Sequence, residues 1–91
     1  MNVFAKDPSA VVAFTHDWAD SYLQTDETLL QSTWSVDPAG LSIDASSHTA
    51  ARASVTLSGG TAGAIYRVSN RVTTSDNRVE ERAIAIRVQQ R

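Results

Sequence analysis

The sequence predicts an all-β fold, an antiparallel immunoglobulin-like β-sandwich of six to seven strands, and three observations carry that expectation. The last third of the chain holds two alternating segments, Ala64 to Thr74 and Arg78 to Val88, joined by the polar turn Ser75-Asp76-Asn77. Upstream, apolar residues recur at every second position from Thr28 to Val36 and again from Arg52 to Leu57. Turn signals separate these segments, chiefly Asp37-Pro38-Ala39-Gly40 and the run Ser58 to Gly63. Short alternating strands between turns, in fewer than 100 residues, are the pattern of two packed sheets. A small closed barrel is the competing all-β arrangement.

Taken in order, Val3 to Lys6 reads as a short edge strand, or as part of an N-terminal arm over residues 1–8, and Asp7-Pro8 ends it. Val11 to Trp18 reads as a strand with Val12, Phe14 and Trp18 on one face, and His16 would share that face. Trp18 and Tyr22 have helical spacing, so one turn of helix fits there, before the loop Thr25 to Glu27. Thr28 to Val36 places Leu30, Trp34 and Val36 inward. After the Asp37–Gly40 turn, Leu41 and Ile43 define a short strand, ended by the polar run Asp44 to Thr49. Arg52 to Leu57 turns Ala53, Val55 and Leu57 inward. The glycine-rich corner Ser58 to Gly63 then leads into the hairpin, where Tyr66, Val68, Ile84, Ile86 and Val88 face the interior. The expected core is therefore Leu30, Trp34, Val55, Leu57, Tyr66, Val68, Ile84 and Ile86, in a single domain over residues 1–91.

Ninety-one residues suit one small core, and the absence of cysteine excludes disulfides and thiolate metal sites. A hydrophobic content of 42% with 20% charged residues is globular rather than disordered. No apolar run approaches the ~20 residues of a membrane helix. The N-terminus lacks a basic region followed by an apolar stretch, which predicts no signal peptide and synthesis in the cytoplasm.

Charge is unevenly spread. Residues 1–51 set Lys6 against seven acids, a balance of −6, whereas residues 52–91 set seven arginines against three acids, a balance of +4. Strands interleaving in one sandwich would let these fields cancel; alternatively the subunit is dipolar, its acidic side meeting a neighbour's basic side. A nucleic-acid surface is disfavoured by the negative net charge, the single lysine and the lack of aromatics among the arginines.

No constellation for catalysis is visible. The glycines at 59, 60 and 63 lead into a strand rather than a helix, so they make a corner and not a phosphate cradle. His16-Asp17 with Asp20, Asp26 and Glu27 matches no metal-ligand spacing and reads as a solvated acidic loop. No nucleophile motif accompanies the many serines. Neither a cofactor nor a small-molecule substrate is expected. Tyr66, just past the glycine corner, is expected to fill the core and tie its hydroxyl to nearby backbone.

Several short motifs follow one another along the chain: Asp7-Pro8, His16-Asp17-Trp18, Ser32-Thr33-Trp34, Ala39-Gly40-Leu41, Ser58 to Gly63, Tyr66, and Asn70 to Asp76. The ordered set resembles small tailed-bacteriophage and prophage virion proteins of the fibre–tail or head–tail adaptor kind, over roughly residues 7–88. Asn77-Arg78 departs from it where a glycine would precede the arginine. The resemblance implies a sandwich subunit built into a virion, with other phage structural proteins as partners and no catalytic residues to carry over. On the chain's own evidence, Arg67, Arg71 and Arg87 on the outer face of the last hairpin are the expected contact residues. Asp17, Asp20, Asp26 and Glu27 are their expected acidic counterparts in a neighbouring copy, for instance in a ring. The alternative is a binding module for carbohydrate or a host-surface protein, which would need Trp18 and Tyr22 exposed.

Overall fold

A computed structural model describes residues 3–90 of the chain. Seven strands and one helical turn follow in order: β1 (Val3–Lys6), β2 (Val12–Asp17), α1 (Trp18–Ser21), β3 (Leu29–Asp37), β4 (Leu41–His48), β5 (Arg52–Gly59), β6 (Ile65–Thr74) and β7 (Val79–Val88). They form a sandwich of a four-stranded sheet, β1-β7-β6-β3, and a three-stranded sheet, β2-β5-β4. Within these sheets the orders β2-β5-β4 and β7-β6-β3 parallel the B-E-D and G-F-C orders of an immunoglobulin-type sandwich. One pairing departs from the antiparallel expectation: β1 runs parallel to β7, Val3 opposite Ala85 and Lys6 opposite Val88. Residues 1, 2 and 91, including the start of the expected N-terminal arm, lie outside the described residues.

The hairpin forms as its alternation requires. β6 and β7 pair from Ile65 opposite Arg87 to Thr73 opposite Val79, so Tyr66, Val68, Asn70, Val72 and Thr74 all point inward and are buried. Asn77 takes the left-handed position of the turn at φ 61°, which asparagine tolerates better than most residues and where glycine was expected. At the other end Tyr66 is 2% exposed and its hydroxyl accepts the Thr61 backbone N–H at 2.9 Å. The ring lies so close to Gly40 that a Cβ there would sit 2.9 Å from the hydroxyl, and Gly40 itself has φ +132°. Gly60 is equally constrained, since a Cβ would come within 2.6 Å of Val88.

Two buried clusters hold the layers together. One joins Leu41, Val55, Leu57, Tyr66, Val68, Ile86 and Val88; the other joins Trp18, Leu29, Ala53 and Val72. The second corrects the expected core at two places. A register shift between Leu29 and Gln31 reverses the phase of β3, so Leu29 is buried and Leu30 is 56% exposed. Trp34 is only half-buried between the clusters, whereas Trp18, delivered by α1, is fully buried and donates its indole N–H to Asn70 Oδ1 at 2.8 Å. A further correction concerns β4, which continues through the polar run to His48 as a paired but largely exposed edge strand.

Candidate functional site

The outer face of the four-stranded sheet is built in rows across β1, β7, β6 and β3. One row sets Ala5 beside Arg87 and Ile65. The next sets Val3, Ala85, Arg67 and Asp37 side by side, and two rows further Glu81, Arg71 and Thr33 do the same. Between them lie only Ala83, Ser69 and Ser35. The centre of the face is therefore small and flat. Val3 at 61% and Ile65 at 54% exposure are exposed apolar residues at this end of the face, with the buried Ala85 between Val3 and Arg67, and Arg87 beside Ile65.

This is where the sequence placed its contact arginines, and the structure brings Arg67, Arg71 and Arg87 onto one exposed face. None of the three has an ion-pair partner within 4.0 Å among the described residues; the pairs found use Arg52, Arg78 and Arg82. Asp37 and Glu81 stand in register with Arg67 and Arg71, so the face carries both signs with arginine in excess.

The four acidic candidates do not form one surface. Asp20 and Asp26 are exposed. Asp17 caps α1 by accepting the Asp20 backbone N–H at 3.1 Å and also meets Arg52 at 3.2 Å. Those contacts, the helix-cap hydrogen bond foremost, hold its carboxyl below the usual range. Glu27 is an internal anchor instead: it is 5% exposed and accepts from Arg78, from Thr74 Oγ1 and from the Gln24 backbone. Arg78, above all, pulls its pKa down to about 2. A charged residue flanked by loop residues gave no hint that its partner stands 51 residues away across a hairpin turn.

Tyr22 and Trp18 form no open aromatic platform. Trp18 is wholly buried, and Arg78 lies over the half-buried Tyr22 ring at 4.2 Å from its centre. The carbohydrate-binding alternative thereby loses the exposed rings it required. His16 stacks edge-on against Trp18 and meets Ser21 Oγ at 3.2 Å; burial, helped by the charge of Arg82, keeps its pKa below the ordinary value. Among the described residues no group of three histidines and carboxylates gathers as a metal site would require, and no helix is long and apolar enough to cross a membrane.

The side chains on this four-stranded face suit contact with another surface: exposed apolar residues with forked cations beside them. A family model described as podophage GP4 fiber-tail adaptor protein gp77 matches residues 6–87. No curated protein matches the chain.

Proposed function

We propose an assembly role for this chain on one premise: it belongs to the podophage GP4 fiber-tail adaptor family. Membership gives a structural adaptor of the phage particle. The finer reading is a small connector in the neck, tail or fibre-attachment region, assembled in the host cytoplasm and held in the virion by protein–protein contacts. Its docking face is the outer side of the four-stranded sheet. The observation that supports this is the set of exposed arginines Arg67, Arg71 and Arg87, without ion-pair partners among the described residues, beside the exposed apolar side chains of Val3 and Ile65.

Contact with a second copy is one way to use that face. Asp20 and Asp26 are then the acidic counterparts, Asp17 contributes less because Arg52 and α1 already engage it, and Glu27 contributes nothing from its buried position. Such a head-to-tail contact repeats into a ring when the rotation per subunit closes. Arginines at the rim of an interface act mainly on association rate, so rising salt weakens assembly.

Reversing Arg67 and Arg71 to glutamate tests the face directly. Both side chains are exposed, so the variant is expected to fold with an unchanged circular dichroism spectrum. Its incorporation into particles is expected to drop well below wild type. Wild-type incorporation would leave the face without a role in assembly.

A further inference from the structure

We draw no further inference here: the strongest candidate, the cleft of about 390 Å³ between the two sheets walled by Phe4, Phe14, Trp34 and Ile84, carries none, because Arg82 at its rim is already paired with Glu80 at 3.1 Å and nothing in the structure shows what fills it.

Discussion

Glu27 shows how much a single side chain can bind together. Its carboxylate joins the loop after α1 to the β6–β7 turn through Thr74 and Arg78, and it reaches back to the Gln24 backbone. Arg78 in turn covers Tyr22, which packs edge-on against Trp18. A carboxyl held at about 2 rather than its ordinary 4.5 favours the folded state only while ionised. The stabilisation is complete above pH about 4.5 and is lost as the pH falls toward 2. Acid denaturation followed by tryptophan fluorescence should therefore be steep in that window. Glu27→Gln should lower stability at neutral pH and flatten the acid limb; an acid limb as steep as wild type would show that this carboxyl does not govern it.

At the scale of elements, the register shift in β3 decides which of two adjacent leucines is structural. Leu29→Ala should cost about 2–5 kcal/mol in chemical denaturation, because it empties a buried site, whereas Leu30→Ser should stay within about 0.5 kcal/mol of wild type. Equal losses would show that the shift is absent. The same strand marks the limit of pattern reading. β5 and the hairpin were legible because strict alternation maps directly onto two faces, and the exposed placement of Arg67, Arg71 and Arg87 was legible with them. β3 was legible as a strand but not in phase, since one extra residue reverses every side chain before it. β4 hid its length because an exposed edge strand needs no apolar face. Trp18 was missed because a helical turn, not a strand, carries it into the core. Asn70 did leave a signal: it is a polar residue at the inward phase of β6, between Val68 and Val72, and such a position asks for buried partners. Asp7-Pro8 was the visible signal for the end of β1 at Lys6.

The whole molecule is elongated, 43 × 22 × 20 Å, with its strands carrying both the arginine face and the cleft on the side of β1 and β7. The parallel pairing of those two strands has a mechanical meaning. When β1 is drawn toward its N-terminal side and β7 toward its C-terminal side, the two slide along each other, and the hydrogen bonds between them share the load instead of breaking one after another. Resistance to tension is a matter of how fast the first step of rupture occurs, and shared loading slows that step. Single-molecule stretching from the two chain ends should give a higher rupture force than pulling across the β6–β7 turn, where the strands peel apart pair by pair. Equal forces in the two geometries would mean that the β1–β7 seam bears no load.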